Sequence, residues 1–234
     1  MQCVILAAGK GTRLRPLTNT IPKPLVEVGG KTLLNHIVES LPSSVDEIVL
    51  VTGYLEDKIK DYCGDNFCGR KVTYVTQEEQ NGTAHALWLC KDKLKGRFLF
   101  MYADDLHGKD DLARITSYTR AKLTYTTDTP ERFGIVVRHP DGTLAEMIEK
   151  PKHPPSNLAS TGVMVLDDNI FKYELKTKLN GEYYLTDVIA EYAKDYPIAV
   201  VEQSLWIPIG FPEDIVKAEK TLAVRNELQK SYLI

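Results

Sequence analysis

The sequence lacks the features that mark secreted, membrane-spanning and nucleic-acid-binding proteins. Four cysteines among 234 residues are too few for a disulfide framework, and Cys63 and Cys68 have no second pair or histidine at zinc-finger spacing. No apolar run approaches the roughly 18 residues that span a bilayer, and the chain opens on an apolar strand instead of a signal peptide. A net charge of −3 gives no general attraction to nucleic acid or to an anionic membrane. We therefore expect a cytoplasmic protein with no nucleic-acid or membrane partner.

The chain also has no low-complexity segment, no long linker and no hexapeptide repeat of the kind that builds a left-handed β-helix. Its 234 residues, of which 43% are hydrophobic, suffice to bury a full core. We predict a single domain over residues 1–234. It divides into a first half of about 1–110 and a second half of about 111–234, closed by a helix from Pro212 to about Gln229.

Apolar runs typical of strands alternate with helical periodicity through the first half. This alternation predicts an α/β fold, with a largely parallel sheet covered by helices on both faces. The strands predicted in this half are Cys3–Leu6, Glu47–Thr52, Val72–Thr76 and Phe98–Tyr102, and the helices are Leu33–Leu41, Glu56–Tyr62 and Thr83–Lys93. From about residue 105 the pattern is mixed, and the predicted strands are Gly134–Val137, Ala145–Ile148, Thr161–Leu166 and Ala199–Val201.

A glycine-rich segment follows the first predicted strand. Its small residues leave backbone N–H groups open to phosphate oxygens. Arg13 and Lys23 add positive charge, and Lys23 is held between Pro22 and Pro24. The segment lacks both the GxxxxGK[ST] spacing of a P-loop and the GxGxxG of a dinucleotide site. It therefore predicts a nucleoside triphosphate site of another kind, whose nucleotide-binding residues are Leu6, Ala7, Ala8, Gly9, Gly11 and Thr12.

An acidic pair, Asp104 and Asp105, comes directly after the apolar run Phe98–Tyr102. In open parallel sheets, ligands bind outside the carboxyl ends of the strands, which is where this pair emerges. Mg²⁺ takes oxygen ligands, usually one or two carboxylates together with water and substrate phosphate. Asp104 is therefore the candidate metal ligand, with Asp105 as its neighbour.

The whole string LAAGKGTRLRPLT, followed by PKPL, resembles the signature of the sugar-1-phosphate nucleotidyltransferases, the pyrophosphorylases that make nucleotide sugars. The resemblance implies a Rossmann-like, glycosyltransferase-A-like fold: a mostly parallel mixed sheet flanked by helices, with a small sugar-binding lobe. It implies that Arg13, Lys23 and Asp104 are catalytic and that Asp104 ligates Mg²⁺. The implied partners are a nucleoside triphosphate and a sugar 1-phosphate, bound by a monomer or small homo-oligomer.

The segment Gln77–Leu87 joins a predicted strand to a predicted helix. An amide that both donates and accepts, beside a backbone open to close approach, suits recognition of a base. The segment resembles the QxEQxGTxHA pattern of the uridylyltransferases that act on N-acetylhexosamine 1-phosphates. The resemblance implies that Gln77 and Gly82, with Thr83 beside them, bind the nucleotide, and it favours UTP. We expect His85 to pack or cap rather than to act as a catalytic acid or base.

Short motifs of the second half resemble the sugar-phosphate site of the same enzymes. Their order along the chain agrees with a glycine that approaches the sugar, a glutamate that binds its hydroxyls and a lysine that meets its phosphate. The residues implied to bind this substrate are Gly134, Glu149, Lys150, Thr161, Gly162 and Tyr183. The segment around Tyr183 also reads as a helix N-terminus capped by Thr186 or Asp187. The β-helix acyltransferase domain of some relatives is not expected here, since hexapeptide repeats are absent.

Two positions depart from the family pattern. Ser160 stands where hexosamine uridylyltransferases have asparagine, and Pro208 stands where the closing motif W-x-D-x-G-T-P has its aspartate, usually a second metal ligand. Either Asp104, substrate phosphates and water hold the metal alone, or Asp214 or another carboxylate substitutes, or catalysis is weakened. The departures leave open the same chemistry with CTP and phosphocholine, or with GTP or dTTP and another sugar phosphate. A regulatory subunit that binds nucleotide sugar without turnover also remains open.

Overall fold

The computed structural model describes residues 1–177 and 181–231, with side chains as far as residue 225. Residues 178–180 and 232–234 of the predicted domain lie outside the described residues. The α-helices are α1 (Leu33–Ser40), α2 (Glu56–Cys63), α3 (Thr83–Trp88), α4 (Lys109–Ile115), α5 (Leu185–Asp195) and α6 (Pro212–Ser231). The strands are β1 (Gln2–Leu6), β2 (Glu27–Val28), β3 (Lys31–Thr32), β4 (Glu47–Thr52), β5 (Asn66–Phe67), β6 (Arg70–Thr76), β7 (Arg97–Tyr102), β8 (Asp105–His107), β9 (Ala121–Thr126), β10 (Ile135–Arg138), β11 (Leu144–Ile148), β12 (Leu158–Asp167), β13 (Ala199–Glu202) and β14 (Trp206–Pro208).

A mixed sheet forms the centre of the described part of the chain. Its middle is parallel, in the order β7, β1, β4 and β6, and Leu6 lies opposite both Val51 of β4 and Tyr102 of β7. Beyond β7, the antiparallel strands β12, β10 and β11 extend the sheet, and β9 pairs with both β12 and β13. The carboxyl ends of the parallel strands therefore share one edge of the sheet. The predicted mixed, mostly parallel α/β sheet is confirmed.

The central strands are apolar on both faces because both faces are covered. Val4, Ile5, Val49 and Phe100 are fully buried, as is typical of parallel strands between two layers of helices. One face packs against α1, α2, α4 and α6, and the other packs against α3 and α5. Burial of each such side chain contributes about 1.5–3 kcal/mol to folding. This rigid core supports the loops at the carboxyl edge.

A short antiparallel pair, β8 with β14, lies beside the main sheet. It places Pro208 directly opposite Asp105, and the backbone N of Ile209 donates to the backbone O of Asp104 (3.2 Å). The closing motif around Trp206 is thus held against the acidic pair that follows β7. The two motifs are about a hundred residues apart in sequence but adjacent in the fold.

Some elements differ from the sequence prediction. The helix predicted to reach Lys93 ends at Trp88, after which Cys90 N donates to Leu87 O (3.0 Å) and Lys91 N to Trp88 O (3.1 Å). These i to i+3 bonds form tight turns, whose apolar spacing resembles that of a helix. The sequence pattern also does not predict β8, β9 or α4. None of the helices in the described part of the chain has both the length and the apolar character to cross a bilayer.

Candidate active site

A first cavity of about 400 Å³ opens at the carboxyl edge of the sheet. Its walls come from the ends of β1, β6 and β7 and from the loops that follow them, which is where parallel α/β sheets bind ligands. They include every residue predicted to bind nucleotide and all three predicted catalytic residues. Those residues are Leu6, Ala7, Ala8, Gly9, Gly11, Thr12, Arg13, Lys23, Gln77, Gly82, Thr83 and Asp104.

The loop after β1 is shaped by Gly11. Its φ of +59° lies in the left-handed region, and a Cβ there would come within 3.0 Å of the Cβ of Lys23. The hydroxyl of Thr18 donates to the backbone O of Gly11 (2.8 Å), which ties the loop to the turn that follows it. Glycine at this position therefore allows Lys23 to lie directly against the loop.

Lys23 forms an ion pair with Asp104 across the cavity, with Nζ 2.9 Å from Oδ2. The lysine begins a 3-10 turn between Pro22 and Pro24 and its side chain is 11% exposed, whereas that of Asp104 is 36% exposed. Because the surrounding backbone fixes the amine, little side-chain entropy is left to lose when an anion binds. The structure thus places one cation and one carboxylate together in the wall of the first cavity.

Asp105 is held in a different environment from Asp104. Trp206 Nε1 donates to its Oδ2 (2.8 Å). Burial, and then the charge of Asp104, raise the pKa of Asp105 above the usual range of a carboxyl. Asp105 therefore resists carrying a second negative charge beside Asp104.

The acidic residues fit a divalent cation held by one carboxylate. Asp214 accepts from the backbone N of Gly210 (3.0 Å) and of Phe211 (2.8 Å), so its carboxylate caps the start of α6. Among the described residues, no three His, Cys, Asp or Glu side chains form a metal-binding group. Of the three aspartates Asp104, Asp105 and Asp214, Asp104 is the one whose carboxylate is placed to ligate a divalent cation at the point where the cavities meet.

Gln77 lies buried at the back of the first cavity. Its Nε2 donates to the backbone O of Gly82 (3.2 Å) and lies 3.2 Å from Nδ1 of His85. Gly82 has a φ of +97°, and a Cβ there would collide with the backbone of Tyr183. The turn and helix α3 thus fix the amide that is predicted to read the base, and His85 contacts it from behind.

A second cavity of about 620 Å³ adjoins the first and shares Arg13, Tyr102 and Asp104 with it. It lies between α5 and the strands β9, β11 and β12. Of the residues predicted to bind the sugar phosphate, five line it: Gly134, Glu149, Lys150, Thr161 and Gly162. Because the two cavities meet at Asp104, a ligand in each would place its inner end beside this carboxylate.

Close packing shapes the second cavity at two glycines. A Cβ on Gly134 would lie 3.1 Å from Oε2 of Glu149, and a Cβ on Gly162, whose φ is +77°, would collide with the ring of Tyr102. Lys150 has a φ of +42° directly before a proline, which is a strained backbone for a non-glycine residue. Such strain clusters at ligand sites.

Tyr183 occupies a different position from the one predicted. Tyr183 is not among the residues that line either cavity in the described part of the chain. The centre of its ring lies 6.3 Å from that of the His85 ring, and the ring packs against the core. Its neighbours Glu182 and Tyr184 line the first cavity instead. Tyr183 therefore supports the turn at Gly82.

The lining residues that the sequence prediction lacks include Gln80, Tyr102 and Lys122. Gln80 donates from Nε2 to the backbone O of Ala8 (2.9 Å), Tyr102 separates the two cavities, and Lys122 lines the second. Gln80 and Tyr102 lie within the motifs described above, so their position in the motif was the available signal. Lys122 lies outside every motif.

Known proteins share the sequence pattern and the fold of this chain. Residues 2–225 match the family described as nucleotidyl transferase. In the solved structures, a protein assigned as a glucose-1-phosphate thymidylyltransferase from Bacillus anthracis, in complex with sucrose, has a TM-score of 0.86 and 29% identity, covering 94% of this chain and 95% of that one. A UDP-glucose pyrophosphorylase complexed with UDP-glucose, at 24% identity, shares the fold with a TM-score of 0.82, covering 96% of this chain and 98% of that one.

Curated relatives extend the comparison. A bifunctional protein GlmU from Methanocaldococcus jannaschii is 37% identical over 95% of this chain and 54% of its own length, so the chain spans about half of that relative. The UTP–glucose-1-phosphate uridylyltransferase AglF from Haloferax volcanii is 36% identical over 95% of this chain and 96% of its own length. With a family match over nearly all of its residues and relatives of this similarity, the chain belongs to the nucleotidyl transferase family.

Proposed function

We propose that the protein couples a nucleoside triphosphate, with UTP favoured, to a sugar 1-phosphate and releases pyrophosphate. The observation that carries the proposal is that two cavities of suitable size meet at the Lys23–Asp104 pair. A triphosphate in the first cavity and a sugar phosphate in the second would have their reacting groups side by side. The names of the relatives, which include a glucose-1-phosphate uridylyltransferase, support the same reaction.

The reaction needs cations and alignment more than proton transfer. A phosphate oxygen of the sugar 1-phosphate, already an anion at neutral pH, attacks the α-phosphorus as the bond from that phosphorus to the bridging oxygen of pyrophosphate breaks. Arg13 steadies the β- and γ-phosphates, Lys23 holds the α-phosphate as charge develops, and Lys150 meets the incoming phosphate. Holding two anions in line in this way supplies most of the barrier reduction in such reactions.

Asp104 would hold a divalent cation, with Mg²⁺ as the proposed metal. When bound, the ion supplies positive charge to the phosphates. Lys23 pairs with the same carboxylate, so the charge of Asp104 is balanced before any substrate arrives. We propose that the protein is a cytoplasmic enzyme, a monomer or small homo-oligomer, and that it acts on small molecules alone.

Gln77 supports uracil as the favoured base. Its amide nitrogen is held by Gly82 O and His85 Nδ1 at the back of the nucleotide cavity, which leaves Oε1 to accept a hydrogen bond from a base edge. The relative AglF, which is named as a uridylyltransferase, also supports this choice.

A second candidate function is a regulatory subunit that binds nucleotide sugar without turnover. The observation in its favour is Pro208, which faces Asp105 and has no side-chain group to offer a metal. The intact Lys23–Asp104 pair favours the enzyme.

The test is pyrophosphate release in the presence of Mg²⁺ from UTP, CTP, dTTP, GTP and ATP, each crossed with a panel of sugar 1-phosphates and with phosphocholine. We expect release from UTP with one class of sugar 1-phosphate and no release from Asp104→Ala. Release only from another pair would change the substrates but keep the chemistry. No release from any pair, with nucleotide binding still visible as a thermal shift, would establish the regulatory candidate instead.

A further inference from the structure

Lys122 is a lysine buried in the wall of the second cavity. It lies in the middle of β9, directly opposite Met164 of β12 and Val200 of β13. Its side chain is 1% exposed, and it lines the cavity together with Leu185 and Ile189 of α5. A long cationic side chain therefore reaches a cavity wall that is otherwise apolar at this point.

No protein group balances the amine of Lys122. Among the residues whose side chains are described, its Nζ has no hydrogen-bond or ion-pair partner. Burial alone lowers the pKa of Lys122 to about 7, with no contribution from a carboxylate. A buried ammonium without a partner is costly, and proteins usually pair or hydrogen-bond such groups. The partner that is missing from the protein fits a group of the ligand.

Lys122 and Lys150, two of the three lysines that line the second cavity, differ in depth. Lys150 is 58% exposed beside Glu149, at the level of Gly134, whereas Lys122 is buried at the level of Met164. Met164 lies four residues along β12 from Ser160, which bonds to Gly134 through its backbone N. Four residues of extended strand span roughly 13 Å, which the bulge between them shortens. One cation thus stands at the mouth, near the reacting phosphate, and the other stands deep in the cavity.

We propose that Lys122 selects a sugar 1-phosphate that carries a carboxylate, a hexuronic acid 1-phosphate, by pairing with that carboxylate deep in the second cavity. This inference rests on the function proposed above for the site. The phosphate of the substrate lies toward Lys150 and Asp104, and the carboxylate at the other end of the ring meets the ammonium of Lys122. The pair replaces the water that both charges lose on binding.

The buried amine of Lys122 should favour a carboxylate substrate strongly over a neutral hexose. A neutral hexose would leave the buried amine facing a hydroxyl or an apolar surface, whereas a carboxylate gives it a full counter-charge. A site whose buried polar group is left unpaired rejects the unmatched substrate far more strongly than an apolar pocket rejects a change of size. The apolar neighbours Met164, Leu185 and Ile189 strengthen the pairing because they lower the local dielectric.

The experiment measures kcat/KM with UTP for six acceptors: glucuronic acid 1-phosphate and glucose 1-phosphate, galacturonic acid 1-phosphate and galactose 1-phosphate, and N-acetylglucosamine 1-phosphate and glucose 1,6-bisphosphate. In the wild type we expect one uronic acid to exceed its matched neutral hexose and both other acceptors by at least about 100-fold. Lys122→Met keeps the length and apolar stem of the side chain, and it should lose this preference through a higher KM for the uronic acid. Lys91→Met, at an exposed lysine that lines neither cavity, should keep it.

The other outcomes test the role of Lys122 separately from the proposed nucleotidyl transfer. Turnover of a neutral hexose, N-acetylglucosamine or bisphosphate acceptor at least as efficient as that of the uronic acids overturns the role of Lys122 and leaves the nucleotidyl transfer standing. The same holds if Lys122→Met keeps the wild-type preference. If no acceptor reacts with UTP or with any of CTP, dTTP, GTP and ATP, the proposed function fails. The role of Lys122 is then tested by thermal shift with a uronic acid 1-phosphate. A rise in Tm of the wild type that Lys122→Met does not show supports the pairing. No rise in Tm of the wild type, or an equal rise in both proteins, overturns it.

Discussion

Lys23 is the residue on which the proposed reaction depends most directly. Lys23→Ala removes the cation proposed to hold the α-phosphate and takes away the ion-pair partner of Asp104. We expect the activation free energy to rise by about 2–4 kcal/mol, so kcat should fall roughly 30- to 1,000-fold. The measurement is kcat with saturating UTP and sugar phosphate, together with urea unfolding.

The stability of Lys23→Ala separates catalysis from folding. A partly exposed ion pair contributes about 0–1 kcal/mol, so the unfolding midpoint should change little. Lys91→Ala serves as the control, since Lys91 is exposed and lines neither cavity. Unchanged kcat in Lys23→Ala would remove this lysine from the mechanism.

Gly162 offers a matched pair of substitutions with Gly142. Both have a positive φ, +77° and +85°, but a Cβ on Gly162 would collide with Tyr102, whereas a Cβ on Gly142 meets nothing within 4 Å. Gly142→Ala should therefore lower the free energy of unfolding by the backbone strain alone, about 1–2 kcal/mol. Gly162→Ala should lower it further and raise KM for the sugar phosphate, because Tyr102 separates the two cavities. Equal losses of stability, with KM unchanged, would show that the ring moves aside without cost.

At the scale of elements, helix α3 positions the side-chain amide of Gln77, which is proposed to read the base. His85, in its first turn, lies 3.2 Å from Nε2 of Gln77. His85→Ala should therefore raise KM for UTP by about 3- to 10-fold, the effect of one lost neutral hydrogen bond, and should leave kcat unchanged. Initial-rate kinetics over a range of UTP concentrations measure this split. A large fall in kcat at saturating UTP would instead make His85 a catalytic acid or base.

Sequence patterns predict some elements well and others poorly, for physical reasons. The central strands β1, β4 and β7 are continuous apolar runs and were predicted to within one residue at each end. The strand β9 was not predicted, because Lys122 and Thr124 are polar yet buried at 1% and 0%. Polarity indicates exposure only where no cavity or partner accepts the polar group. Lys122 lines the second cavity, and the hydroxyl of Thr124 donates to the backbone O of Val201 (3.4 Å), so each polar group has a place inside the fold that the sequence does not reveal.

At the scale of the molecule, motifs predicted most of the site because the fold gathers them at one edge. Residues such as Gly11, Gln77 and Asp104 each follow a parallel strand, and carboxyl ends of parallel strands converge. Tyr183 and Lys122 illustrate the limit. Which side chain of a loop faces the cavity depends on packing against other elements, and a lone lysine within a strand carries no local signal of depth.

The stability of the whole molecule should report the burial of Lys122 through pH. In the unfolded chain this lysine titrates near 10.5, whereas in the folded chain its pKa is lowered to about 7. Between these values the unfolded state binds the extra proton, so the folded state gains stability as pH rises. Below pH 7 both states are protonated, and the folded protein bears the full cost of a buried ammonium.

Lys122→Met should therefore unfold at a higher urea concentration than the wild type at pH 6. The difference should shrink between pH 7 and 10, by at most about 1.4 kcal/mol per pH unit. Lys91→Met, at an exposed lysine, should show no such trend. A difference between Lys122→Met and the wild type that stays constant with pH would mean that the amine keeps its proton in the folded state, held by a counter-charge or by water in the cavity.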